Sequence, residues 1–211
     1  MTPTLTNLDL AQLAALAAAL GWASGLRLYA VVFITGAAGY LGWLPLPEGL
    51  KLLQHPVVLI ASFAMFVVEF IADKVPGLDT LWDTVHTFIR IPAGAALAAG
   101  VFGGDSTVWA LVAALAGGTL AATSHAAKAT TRAAANTSPE PFSNIALSLA
   151  GDAIVPASLW LAVEHPMIFW PALGIAVIVA VVLIVVLFRF LRALWRRLAG
   201  MPPAPPTGAA A

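Results

Sequence analysis

Apolar residues run along this chain in long blocks, with the charged residues gathered at or near the block ends. Between Glu164 and Arg189 there is no formal charge, and Ile175–Phe188 is nearly all Val, Ile, Leu and Ala. About 20 apolar residues cross a hydrocarbon core about 30 Å thick as one helix, so residues 166–188 are predicted to span a membrane. The same ruler predicts four more spans. They are 142–163 with Asp152 inside, the Ala- and Gly-rich 107–124, 56–74 with Glu69 and Asp73 near its end, and 79–103 with its charges in the first half.

The first 44 residues are apolar on both sides of a lone Arg27. A single helix over Leu10–Leu44 would be about 50 Å long, too long for one crossing. Ala23-Ser24-Gly25 offers a break, since Gly permits a turn and Ser can cap the helix that follows. Two helices are therefore predicted, 9–23 and 26–44, the first short enough to be a half-crossing. That gives an all-α, polytopic transmembrane bundle of about seven helices in a single domain over residues 1–200. The Pro- and Ala-rich tail 201–211 is expected to be disordered. His55-Pro56 and His165-Pro166 each open a helix, and Arg27 and Lys128 each follow a small-residue helix. These echoes suggest a 3+1+3 internal repeat with 79–103 as the linker helix, although Ala-rich helices also resemble one another by chance.

Composition sharpens this picture. The chain is 61% hydrophobic and 9% charged, against about 45–50% and about 25% in soluble domains. Ten basic residues balance ten acidic ones, so no net field draws a nucleic acid. The absence of cysteine excludes disulfides, thiolate catalysis and Cys-type zinc sites. The start of the chain lacks the basic region of a signal peptide. Positive charge marks cytoplasmic connections. With the C-terminus inside on account of Arg189, Arg192, Arg196 and Arg197, seven crossings put Arg27, Lys74, Lys128 and Arg132 inside as well and leave Lys51 outside. This points to the inner (cytoplasmic) membrane of the cell. The seven tryptophans fall mostly near predicted helix ends, as an interfacial belt does.

Ionisable groups inside a bilayer are costly, about 2.5–3.5 kcal/mol each near its centre, and so point to function. Glu69 and Asp73 are four apart on one helix face. After Pro76-Gly77, the residues Asp79, Asp83, His86 and Arg90 form one stripe of the next helix. This acidic hairpin could hold a divalent cation or relay protons, with Glu69, Asp73, Asp79 and Asp83 as the candidate metal ligands. The plainer reading makes Asp79 a helix cap and Asp73 and Lys74 interfacial residues. Ser124, Lys128, Arg132 and Asn136 recur every four residues, with His125 beside them. Lys128 and Arg132 either anchor topology or neutralise the hairpin and hold a ligand's carboxylate or phosphate. Ser138 and Pro139 are expected to open the following helix. Arg90 and Asp152 lie at similar depth, about 15 Å in, which suggests an ion pair between them. Pro92 and Pro156 would free nearby carbonyls, as in broken transporter helices. The Gly and Ala runs at 94–100 and 115–122 favour close helix packing. Walker A, GxSxG, HExxH and dinucleotide fingerprints are absent from the sequence.

The strings EFIADKVPGLDTLWDTVHTFIR (69–90) and SHAAKATTRAAANTSPEP (124–141) resemble the membrane-protein family catalogued as domain of unknown function 4126. The resemblance extends over roughly residues 10 to 190. It implies a small integral-membrane protein and no particular activity. The leading expectation is a small permease for a polar or ionic solute, coupled to protons or a cation. In it the four carboxylates handle the cation and Arg27, Arg90, Lys128 and Arg132 balance it. The alternatives are an intramembrane enzyme that acts on lipid headgroups with carboxylate-held Mg²⁺, and a structural protein whose charges lock helices together.

Overall fold

The computed structural model describes residues 8–75, 77–103, 107–137 and 142–199. The tail 201–211, Pro76 and the Ser138-Pro139 cap lie outside them. Among the described residues there are six α-helices: α1 (Leu10–Tyr40), α2 (Pro56–Ala72), α3 (Leu78–Phe102), α4 (Thr107–Ala135), α5 (Phe142–Glu164) and α6 (Pro166–Leu198). A 3₁₀ segment, Glu48–Gln54, precedes α2.

Helix α1 holds the centre. Its most apolar stretch is 72% buried within the chain, against 11% for that of α6, so α1 is core and α6 is left to face lipid. An apolar helix without a polar face is a buried helix, and α1 is Ala- and Leu-rich on every side. Asp9 starts it with a capping box, accepting from the Gln12 backbone N–H while Gln12 reaches back to the Asp9 N–H. The helix is broken at Arg27, which has φ −149° and ψ 86°.

The break doubles the chain back. Leu16, Ile34, Thr35 and Ala38 line one cavity together with Pro156–Glu164 residues at the end of α5. An unbroken helix would hold Leu16 and Ala38 about 33 Å apart. The first arm, residues 10–26, runs beside α4 in the same direction, pairing Gly21 with Gly117 and Gly25 with Ser124. The second arm, 28–40, returns along α2, where Phe33 meets Phe63 and Gly36 meets Leu59. The two arms and α2 to α6 therefore give the expected seven helical rods. The break falls at Arg27 and not at 23–25, and the second arm ends at Tyr40, short of residue 44. The start of α1 and the end of α6 lie at opposite ends of the bundle.

The centre is tight because it is built on small residues. A Cβ added at Gly21 would lie 2.5 Å from the Gly117 Cα, so the two backbones touch there and only Gly fits. Trp22 is 7% exposed and belongs to this core, not to an interfacial belt. Trp43, Trp109, Trp160 and Trp170 are exposed at the opposite end from Arg27. Among the described residues, five helices are long and apolar enough to cross a membrane, and the 3₁₀ segment with α2, bent by 70°, passes as a sixth. The chain is an integral membrane protein.

Helices α2 and α5 follow the predicted bounds closely, whereas α4 and α6 run on. Helix α4 continues through Lys128 and Arg132 to Ala135, and α6 through its arginines to Leu198. Neither Pro92 nor Pro156 breaks its helix. The interruption of the fold is at Arg27 instead.

Candidate functional site: a buried ion network at one end of the bundle

The sequence brings the charges together by three local devices. The break in α1 puts Arg27 at the tip of a helical hairpin. Asp73 ends α2 as its C-cap, its N–H bonded to the Glu69 carbonyl at 2.9 Å. Gly77, with φ +86°, starts α3 in a conformation that suits Gly, so that Asp79, Asp83, His86 and Arg90 all face inward and are buried.

Asp73 is the hub. Its Oδ2 lies 3.1 Å from Arg27 Nη1, 3.0 Å from Lys128 Nζ and 3.1 Å from Arg132 Nη2. Arg27 also meets Asp152 at 2.7 Å through Nε and donates from Nη2 to the Ser148 hydroxyl and carbonyl. Lys74 donates to Ser148 Oγ at 3.1 Å and lies 3.8 Å from Asp152. Lys128 donates to the Leu26 carbonyl beside the break.

Asp79 serves both roles foreseen for it. Its Oδ1 accepts from the Gly77 and Thr80 N–H groups, as a cap does, and its Oδ2 pairs with Arg132 Nη1 at 3.3 Å. Asn136 donates to the same carboxylate and is itself held by Asn144.

The deepest part centres on Arg90, which is fully buried. Nη2 meets Glu69 Oε1 at 2.5 Å and Nη1 meets Asp83 Oδ1 at 2.7 Å. Asp83 also takes Lys128 at 3.1 Å. Nη1 donates to His125 Nδ1 at 3.2 Å. Since a guanidinium can only donate, His125 Nδ1 carries no proton and its Nε2–H donates to Thr87 Oγ1 at 2.7 Å. Thr87 passes its own proton donor to the Asp83 carbonyl. His86 takes the other tautomer. Its Nδ1–H donates to the Trp82 carbonyl at 2.8 Å, and Nε2 accepts from the Tyr29 hydroxyl at 3.2 Å. His86 thus stands beside the ion network and not within it.

The predicted Arg90–Asp152 pair does not form. Helix α3 packs on α4 and α1, and α5 packs on α1, so α1 separates the two residues and Arg27 takes Asp152. Equal depth fixed one coordinate; the helix arrangement around α1 set the others. Apart from His86, the remaining predicted site residues do meet, and Lys128 and Arg132 pair with Asp83 and Asp79. Sequence reasoning missed Tyr29, Asn144 and Ser148. Ser148 and Asn144 lie four and eight residues before Asp152, on its face of α5, and that spacing was the signal available.

Five cations (Arg27, Lys74, Arg90, Lys128, Arg132) thus balance five carboxylates (Glu69, Asp73, Asp79, Asp83, Asp152). Among the described residues no group of three or more His, Asp or Glu is placed to hold a metal ion. Each of the four candidate metal ligands already faces a guanidinium or ammonium within 3.3 Å. Among the described residues, the network's buried carboxylate oxygens without a hydrogen-bond partner are Glu69 Oε2, Asp83 Oδ2 and both oxygens of Asp152, and those of Asp83 and Asp152 each lie within 3.8 Å of a cation. Arg27 and Lys128, matched to each other by the internal echo, converge on the same carboxylate.

No curated protein and no solved structure matches the chain. A family model described as "Domain of unknown function (DUF4126)" matches residues 14–192. That span takes in every residue of the ion network, and the chain belongs to the DUF4126 family.

Proposed function

We propose that this protein is a small permease for a polar or ionic solute, with the buried network as its binding and coupling site. The observation that carries the reading is the network itself: ten ionisable groups drawn from α1 to α5 and their caps, nearly all buried within the helical bundle. Stability alone gives little reason for it, because well-packed apolar side chains of similar volume serve as well or better than buried ion pairs. Ionisable groups inside a spanning bundle mark solute or proton pathways.

Glu69 supports proton coupling in particular. Its Oε1 holds Arg90 while its Oε2 has no hydrogen-bond partner, and a neutral side chain in its place would leave Arg90 to Asp83 and His125. The arginines of α6 extend from the network's end of the bundle, which supports a cytoplasmic orientation for that end. The headgroup-enzyme reading gains less support, because a divalent cation would have to displace Arg or Lys from every candidate carboxylate.

The test is flux. Full-length protein is reconstituted into proteoliposomes with an entrapped pH dye and offered a panel of small amino acids, carboxylates and inorganic ions. Solute-dependent proton movement, absent from protein-free vesicles and reduced in Glu69→Gln, is the expected result. Folded protein that moves none of them, or that turns over a lipid headgroup only with added Mg²⁺, would overturn the permease reading.

A further inference from the structure

Six of the ten Lys and Arg residues are paired with carboxylates: the five cations of the network, and Lys51 with Glu48. The other four, Arg189, Arg192, Arg196 and Arg197, all lie near the end of α6. Among the described residues none of them makes an ion pair or a side-chain hydrogen bond. Three are exposed and Arg196 is half-buried. The described carboxylates outside the network, Asp9, Glu48 and Glu164, sit at the opposite end of the bundle, where Asp9 starts α1 and Glu164 ends α5.

These arginines are ordered on the helix. At about 3.6 residues per turn, Arg189, Arg192 and Arg196 fall within about 60° of one another. Leu191, Leu194, Trp195 and Leu198 take the opposite face, and Trp195 and Leu198 are 68% and 77% exposed. The stripe also has a defined depth. Leu183 lines one cavity with Asp73 and Arg132, so α6 passes the network there, and Arg189 follows about 9 Å farther out. Helix α6 has 33 residues and is about 50 Å long, against about 40–45 Å for a bilayer with its headgroups. Its uncharged run ends at Phe188, which puts the arginines in and just beyond the headgroup layer. Helical side chains lean toward the start of their helix, here back toward the bilayer. Guanidiniums are thereby presented at the depth of lipid phosphates, and Trp195 leans toward the hydrocarbon boundary.

We propose that the end of α6 is a binding surface for acidic phospholipids of the adjoining leaflet. Phosphatidylcholine carries the same phosphate beside a choline cation, whereas an acidic headgroup keeps its negative charge, so the stripe selects by charge. A soluble acidic partner would meet side chains that lean away from it. The proposal is independent of the permease reading.

The test uses the full chain in phosphatidylcholine vesicles with a trace of spin-labelled phosphatidylglycerol or spin-labelled phosphatidylcholine. The motionally restricted fraction of each label gives the relative association of the two lipids with the protein. At low salt the wild type should prefer phosphatidylglycerol at least threefold. In 1 M salt, where screening acts within about 3 Å, the preference should fall toward parity. The variant R189Q/R192Q/R196Q/R197Q should lose it at low salt, and the same four positions as lysine should keep at least half of it. Folded wild-type protein without a preference overturns the proposal and leaves the stripe to a soluble partner. A preference that survives in the glutamine variant, or a folded lysine variant with none, also overturns it.

Discussion

Replacing Arg90 by Leu removes a guanidinium with no solvent exposure and leaves two carboxylates to cope without it. They are not equally placed. Asp83 keeps Lys128 at 3.1 Å. Glu69, fully buried, has its ion pair with Arg90 and an unpartnered second oxygen, so it is stranded. Breaking a buried pair in this way costs about 3–5 kcal/mol. Glu69→Gln is milder, because Arg90 retains Asp83 at 2.7 Å and the amide oxygen can still accept; about 1.5–3 kcal/mol is expected for weakening one charged hydrogen bond. The double variant Arg90→Leu/Glu69→Gln should be more stable than Arg90→Leu alone, since the stranded charge is gone. The coupling between the two sites should fall within about 0.5–3 kcal/mol. Equilibrium unfolding in mixed micelles with a rising fraction of denaturing detergent measures all three, and 1.4 kcal/mol appears as a tenfold change in the folded-to-unfolded ratio. Strict additivity, or an Arg90→Leu protein no weaker than Glu69→Gln, would refute the stranded-carboxylate reasoning.

Two other outcomes follow from the geometry. Gly21→Val should destabilise the fold by at least about 1–3 kcal/mol as an overpacked site, because its Cβ would meet the Gly117 backbone. Gly118→Ala, whose Cβ meets the Ala95 side chain at 3.3 Å and the Ile91 carbonyl at 4.0 Å, should be far milder, and thermal unfolding in detergent would rank the pair. Arg27→Ala should cost more than Asp152→Ala in the same assay. Arg27 serves Asp73, Asp152 and Ser148 at once, whereas Asp152 is partly exposed and its loss leaves Arg27 with Asp73. The reverse order would show that Arg27 does not organise the network.

Much of this architecture could be read from the chain, because a bilayer imposes a length on every apolar block. The bounds of α2, α3 and α5 come from that length and from Pro and Gly at their ends. The ends of α4 and α6 fall later than the charge pattern predicts, and for α4 the reason is visible. Lys128 and Arg132 looked like a polar connection, yet they point into the protein and lie on a helix, and a charge satisfied by Asp73 and Asp83 gives a helix no cause to stop. The membership of the network was legible from spacings of four and seven residues, which place side chains on one face. Its pairing was not. Spacing within a helix gives depth and face, but which face meets which helix depends on α1 lying between α3 and α5. The 3₁₀ segment Glu48–Gln54 was likewise hidden, since seven mixed residues carry neither a spanning length nor a clear period.

The position of Arg27 also bears on how the protein is made. It lies between two apolar arms and precedes its first partner, Asp73, by 73 − 27 = 46 residues and its second, Asp152, by 152 − 27 = 125. At about 5–20 residues per second of synthesis, the α1 hairpin waits roughly 2–9 s before a carboxylate emerges that can receive its guanidinium. During that wait the tip of the inserted hairpin holds an unmatched charge at one end of the bundle, where its cost against insertion is below the value of about 2.5–3.5 kcal/mol at the bilayer centre. Emergence of α2 supplies Asp73 and removes that opposition. The first two helices are therefore expected to enter the bilayer as a unit, with α2 as the segment that commits the chain to it.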